Sequence, residues 1–163
     1  DPLLDDIEVL RNALGDVAIA PDGLTRDDWL DLLMTHRLQP AFAADTLLAV
    51  HDWPASQAAL ARIRAGDPPL AERFELYLGP LELANGYHEL TDADEQRARF
   101  ERDVAVRMQR GLPVIPMDQA LLEALAHGLP ACAGVALGVD RLLMALLETD
   151  RIADVLAFDF ARA

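Results

Sequence analysis

Between residues 74 and 83 the chain alternates in character. Phe74, Leu76 and Leu78 are apolar, Glu75 and Tyr77 sit between them, and after Gly79-Pro80 the run resumes as Leu81-Glu82-Leu83. A period of two marks a strand with one covered face. Glycine supplies a positive φ at the first turn position and proline's fixed φ suits the second, so the pattern predicts a β-hairpin with a two-residue turn. Pairing Leu78 with Leu81 sets Tyr77 opposite Glu82 and Leu76 opposite Leu83. One face then carries Phe74, Leu76, Leu78, Leu81 and Leu83 and is expected to pack on a core. The other carries Glu75, Tyr77 and Glu82 and is expected to be polar. Asn85-Gly86 is expected to interrupt the second strand as a bulge or bend.

Elsewhere the spacing is helical. Leu3, Leu4, Ile7, Leu10 and Leu14 predict a helix over 3–14, closed by Gly15. Thr25 caps a second through about Arg37, with Trp29, Leu32, Leu33 and His36 on one side. Thr46 to Val50 reads as a strand ended by Pro54, and Ser56 as the cap of a short helix over 57–64. Asp92 to about Arg110 is a helix with Glu95–Arg99, Arg97–Glu101, Arg99–Asp103 and Asp103–Arg107 at i,i+4. Asp118–His127 is another, stopped by Gly128. Ala131 to Val139 is a buried strand or a glycine-rich turn, Arg141 to Leu147 an amphipathic helix, and Asp154 to Phe158 a last short strand. The mixture is α+β: an antiparallel β-sheet flanked by helices.

Composition narrows the function. The 163 residues give room for one domain, and 52% apolar content supports a core. With 28 Asp+Glu against 14 Lys+Arg the net charge is −14, which disfavours tight, sequence-independent nucleic-acid binding or an anionic-membrane surface. A single cysteine, Cys132, excludes an intramolecular disulfide and favours a cytoplasmic reading; it is expected to be a small buried hydrophobe. No apolar run approaches the roughly 20 residues of a membrane span. The start, Asp1-Pro2-Leu3-Leu4, has neither initiator Met nor signal peptide, and it raises the expectation of a piece cut from something longer.

Three clusters could carry chemistry. Glu75 and Glu82 project from one face of the hairpin, where their repulsion would be relieved by a divalent cation shared with a nucleotide phosphate; a solvated sheet face is the plain alternative. Asn85, Tyr87 and Glu89 alternate and could hold an ammonium group on a hydrocarbon stem, with His88 pointing the other way; an edge strand with polar decoration accounts for them equally well. For Asn85 to share a face with Glu82 the strand needs a bulge between them. Gly134 to Arg141 opens into a helix, so a flat ligand or phosphate could approach Gly138 and Arg141, although close strand–helix packing also explains the glycines. Histidines 36, 51, 88 and 127 have no metal-ligand spacing with Cys132. Trp29 and Trp53 read as core.

Together, Arg73-Phe74-Glu75-Leu76-Tyr77, Leu81 to Asp92, Glu95-Gln96, Arg99-Phe100 and Gly134 to Arg141 resemble the catalytic domain of lysyl-type class II aminoacyl-tRNA synthetases. The resemblance extends, through Trp53 to Ala61, Arg110-Gly111-Leu112-Pro113 and Ala133 to Leu142, to the shortened paralogue branch that modifies elongation factor P. It covers about residues 45–163 strongly and the first 44 loosely. It implies that Glu75 and Glu82 hold Mg²⁺ on ATP, and that Asn85, Tyr87 and Glu89 line a lysine pocket with Glu89 facing the ammonium. Gly138 would lie near adenine, and Arg141 would be catalytic at the γ-phosphate. Ala136 stands where lysyl-tRNA synthetases have glycine, which in the paralogue branch goes with (R)-β-lysine, and His88 replaces a serine.

The implied activity is ATP-dependent formation of an aminoacyl-adenylate and transfer to a lysine of elongation factor P, in a homodimeric, cytoplasmic parent. A lysyl-tRNA synthetase part charging tRNA and a non-catalytic binding module are the alternatives. The first and second signature motifs of the class are not found in the chain. Residues 1–163 therefore read as the C-terminal portion of a catalytic domain, expected to be inactive alone.

Overall fold

The computed structural model describes residues 3, 6–15, 17–18 and 23–160. Its centre is the hairpin. Strands β3 (Leu70–Leu78) and β4 (Leu81–His88) are joined at Gly79-Pro80. Gly79 takes φ 53°, and a side chain there would meet the Ala44 backbone at 2.9 Å, so only glycine makes this turn. Leu78 pairs with Leu81 and Tyr77 with Glu82, as the alternation predicts. Beyond them the register shifts, and Leu76 faces Ala84 rather than Leu83. Leu83 is the extra residue of a bulge, whereas Asn85 and Gly86 pair regularly with Glu75 and Phe74. Gly86 is needed for packing, not bending: a Cβ there would lie 2.5 Å from the Phe74 ring.

β1 (Leu47–Pro54) lies antiparallel to β3 on one side, and β5 (Ala133–Leu137) antiparallel to β4 on the other. The order is β1-β3-β4-β5, with β2 (Ile63–Arg64) paired to the start of β3. Leu83 is buried as expected, but burial on the rest of the hairpin departs from expectation. Glu75 and Tyr77 are 6% and 4% exposed, while Phe74, Leu76, Leu78 and Leu81 are half-buried. Alternation tells which side chains share a face, not which face is covered. Here the Phe42 ring meets Tyr77 edge-on at 5.3 Å, and Arg73 closes over Glu75. On the other face Leu47, Val135 and Leu137 stay exposed.

Helices flank the sheet. α1 (Ile7–Leu14) starts later than predicted, where Asp6 accepts from the Val9 amide; Leu4 of the expected helix lies outside the described residues. α2 (Arg26–Leu33) starts at Thr25 with a reciprocal capping box to Asp28, then widens into a π turn over Met34–Leu38. Leu10, Leu14 and Trp29 pack these helices together. α3 (Ala93–Gln109) is capped by Asp92, α4 (Gln119–His127) by Asp118, and α5 (Val139–Leu146) follows β5 directly.

Two expected elements do not form. Ser56 donates to Asp27 of α2 instead of capping a helix, and the segment makes a 3₁₀ turn (Ala55–Gln57) and then β2. Around 154 the chain makes a 3₁₀ turn (Ile152–Asp154), with no strand over 154–158. Cys132 is half-buried rather than buried.

Candidate active site

The bulge at Leu83 decides the site. Without it Glu82 and Asn85 would face opposite ways; with it Glu75, Tyr77, Glu82, Asn85 and Tyr87 share one face. β5 completes the surface, setting Ala136 against Asn85 and Gly134 against Tyr87. His88 turns to the opposite face, where its Nδ1 lies 2.8 Å from a Glu72 oxygen.

Glu75 is held at both oxygens: Arg73 donates to Oε1 at 2.5 Å and the Tyr77 hydroxyl to Oε2 at 2.5 Å. Burial and the Glu75 carboxylate push the Tyr77 hydroxyl well above its ordinary range, so it stays a donor. Glu82 is less covered. Arg141, in the first turn of α5, donates to its carbonyl at 2.9 Å and lies 3.3 Å from its carboxylate. The Gly138 amide donates to the Leu83 carbonyl at 2.9 Å, which ties the start of α5 to the bulge.

Along β4, the Asn85 amide donates to the Tyr87 hydroxyl at 3.0 Å, and Asn85 Oδ1 is buried without a partner among the described residues. A buried acceptor left open is costly unless a ligand fills it. The Glu89 amide donates to the Cys132 carbonyl at 3.0 Å, and its carboxylate lies against Gly134, where a Cβ would collide with it. The structure thus gathers Glu75, Glu82, Asn85, Tyr87, Glu89 and Ala136 on one surface, with Gly138 and Arg141 at its end.

Arg73 and Trp53 are the residues that pattern reading missed. The Arg73 guanidinium carbon lies 4.1 Å from the Trp53 ring centroid and 5.9 Å from that of Tyr87. Trp53 is half-buried: it packs against the buried Ala58, Ala61 and Ala71, as expected of a core residue, and also lines this face. Among the described residues no group of three or more His, Cys, Asp or Glu could hold a metal, and no helix is long and apolar enough to cross a membrane.

Comparison with known proteins places this arrangement. The profile of class II tRNA synthetases (D, K and N) matches residues 30–162. A protein of Pectobacterium carotovorum subsp. carotovorum (strain PC1) named "Elongation factor P--(R)-beta-lysine ligase" is 50% identical over 168 residues, which cover 100% of this chain and 51% of that protein. Proteins of the same name from Salmonella gallinarum and Yersinia enterocolitica are 50% and 49% identical over 166 residues, each covering 100% of this chain and 51% of the relative. The chain spans about half the length of the curated relatives it matches. With a profile match over most of its length, and with the paired carboxylates and helix-borne arginine on one sheet face, the chain belongs to the class II tRNA synthetase family.

Proposed function

We propose that the chain is the C-terminal part of the catalytic domain of a ligase that activates a lysine-like amino acid, (R)-β-lysine, with ATP and transfers it to a lysine of elongation factor P. The observation that carries this reading is the bulged hairpin. It brings Glu75 and Glu82 to the same face as Asn85 and Tyr87, which supports reading a phosphate–metal subsite next to an ammonium subsite. Class II synthetase-type ligases use ATP. The curated relatives named for elongation factor P and β-lysine support the choice of acceptor and amino acid.

The residues fit a magnesium ion. Mg²⁺ takes one or two carboxylates and fills its other positions with phosphate oxygens and water, so a site without a third protein ligand is what it needs. Glu75 and Glu82 are hard oxygen donors on one face. Each Glu75 oxygen accepts one hydrogen bond and keeps further lone-pair capacity. Bound there with ATP, the ion would offset phosphate charge.

Around it the side chains position and neutralise. Arg141, exposed and long-bonded to Glu82, can exchange that carboxylate for the γ-phosphate and stabilise the leaving pyrophosphate. Asn85 Oδ1 and Glu89 would accept from the substrate ammonium while Tyr87 walls its stem. The Ala136 methyl, beside Asn85, reshapes the pocket floor, a methylene-scale difference worth roughly 1–3 kcal/mol in selectivity. The substrate carboxylate attacks the α-phosphorus, the bond to pyrophosphate breaks, and an aminoacyl-adenylate forms. The acceptor amine then attacks the acyl carbon and AMP leaves. Neither step assigns a general base to these side chains. The parent is proposed to be a cytoplasmic homodimer.

The test is ATP–pyrophosphate exchange by the full-length protein. Exchange with (R)-β-lysine should far exceed exchange with α-lysine. The reverse preference supports a lysyl-tRNA synthetase and overturns the assignment, and exchange with neither supports a non-catalytic module.

A further inference from the structure

We propose that Arg73 is a positioning residue that ties the two halves of this site together: stacked on Trp53 by a break in β1 at Asp52, it holds the Glu75 carboxylate and lies over the Tyr87 ring. The proposal rests on the assignment of Glu75 to the nucleotide side and Tyr87 to the amino-acid side.

The backbone comes first. β1 pairs regularly with β3 from Leu47 to His51, and Val50, opposite Glu75, is on the site face. Strict alternation from Val50 would turn Trp53 to the opposite face. The pairing is irregular between His51 and Trp53, and there Asp52 takes φ 60°, uncommon for a residue other than glycine. Asp52 is clamped in that conformation by Arg64 at 2.8 Å and His51 at 3.0 Å. Burial opposes its ionisation, but these two partners outweigh it and lower its pKa. The break delivers Trp53 opposite Ala71, on the side where Arg73 lies over its ring.

Arg73 is then committed in several directions. Its Nη1 donates to the Gln57 carbonyl at 3.0 Å and its Nη2 to Glu75, while its guanidinium sits over Trp53 and over Tyr87, its direct cross-strand neighbour. Its side chain is only 16% exposed, and its Nε is buried with no partner among the described residues. A structural ion pair gains nothing from an orphaned buried N–H. Geometry that tolerates one in order to keep stack and fork together is the geometry of a support. Only a planar guanidinium meets all of these partners, since an ammonium is a point charge.

Trp53→Leu and Arg73→Lys in the full-length protein test this. Each should raise KM for both ATP and the amino acid, by about tenfold as for loss of an outer-shell support, with circular dichroism unchanged. Trp53→Phe, which keeps a ring under the guanidinium, should stay within about twofold of wild type for both. Tyr87→Leu should raise KM for the amino acid alone. Unchanged KM values in Arg73→Lys, or a lowered melting temperature with no change in KM, would overturn the proposal.

A second readout is independent of turnover. The Arg73 Nε–H resonance should be shifted upfield by the Trp53 ring, protected from exchange, and moved to the solvent-exposed position in Trp53→Leu. A solvent-like Arg73 resonance in wild type overturns the stack. If the full-length protein shows no exchange with any lysine-like amino acid, the functional reading falls. The resonance, with calorimetry of Mg·ATP on wild type and Arg73→Lys, then still decides the role of the stack: Mg·ATP binding weakened in Arg73→Lys sustains it, and equal binding overturns it.

Discussion

Glu89 and Gly134 show how one side chain can depend on the absence of another. The Glu89 carboxylate lies where a Cβ on Gly134 would be, so Gly134→Ala displaces it. If Glu89 faces the substrate ammonium, Glu89→Gln removes a charge-assisted contact and should raise the amino-acid KM of the full-length protein by about 10–100-fold. The ATP KM should stay unchanged. Gly134→Ala should reproduce the amino-acid effect without touching the carboxylate chemistry. An ATP KM that rises as much as the amino-acid KM would place Glu89 elsewhere. Glu75 with Glu82, and Asn85 with Tyr87 and Glu89, were legible as two sets because side chains on a strand declare their side by parity, and the bulge at Leu83 is what brings the two sets to one face. Trp53 and Arg73 were not. What joins them is a positive φ at Asp52, a backbone state that aspartate adopts without leaving a pattern in the neighbouring residues.

The hairpin and the long helices were readable because local signals agree there: Gly79-Pro80 with alternation on both sides, Asp92 and Asp118 as caps. The missed elements are those where a tertiary partner outbids a local signal. Ser56 is a good helix cap that spends its hydroxyl on Asp27, and the exact register beyond Tyr77 turns on one inserted residue, Leu83. Gly86 is fixed by its neighbour: Gly86→Ala forces a methyl into the Phe74 ring and should destabilise the chain by about 1–3 kcal/mol in urea denaturation. A second element-level effect is pH-dependent. Arg110, just past α3, donates to both oxygens of Asp28 in the α2 cap, at 3.1 and 2.7 Å. That guanidinium, against the opposing effect of burial, holds the Asp28 carboxyl well below the usual carboxylate range. A folded-state pKa lowered in this way stabilises the fold above the unfolded-state value of roughly 4 and is lost as pH falls below it. Wild type should therefore lose stability relative to Asp28→Asn as pH is lowered from 5 towards 3, read from urea midpoints. Parallel curves would show that the link contributes nothing.

At the scale of the whole molecule the charge balance sets what this chain can do by itself. The net charge is −14, and three of the carboxylates behind it, Glu75, Glu82 and Glu89, lie on the site face. Of the guanidiniums beside these carboxylates, Arg73 is committed to Glu75, and Arg141 has to release Glu82 before it can meet a phosphate. A magnesium ion can cancel the carboxylate pair, but a triphosphate with its ion still carries excess negative charge, and phosphate recognition rests on cations free to meet it. Among the described residues Leu47, Val135 and Leu137 on the opposite face are exposed, so that face of the sheet is only partly covered. Less rigid backing lets the carboxylates drift from a productive arrangement. The 163-residue chain should accordingly bind Mg·ATP with a Kd in the millimolar range or weaker by calorimetry, about −4 kcal/mol or less. It should also show little pyrophosphate exchange, while a protein of the relatives' full length is expected to do both. Micromolar nucleotide binding by this chain alone would mean that its own cations suffice, and that the charge accounting at Glu75, Glu82 and Arg141 is wrong.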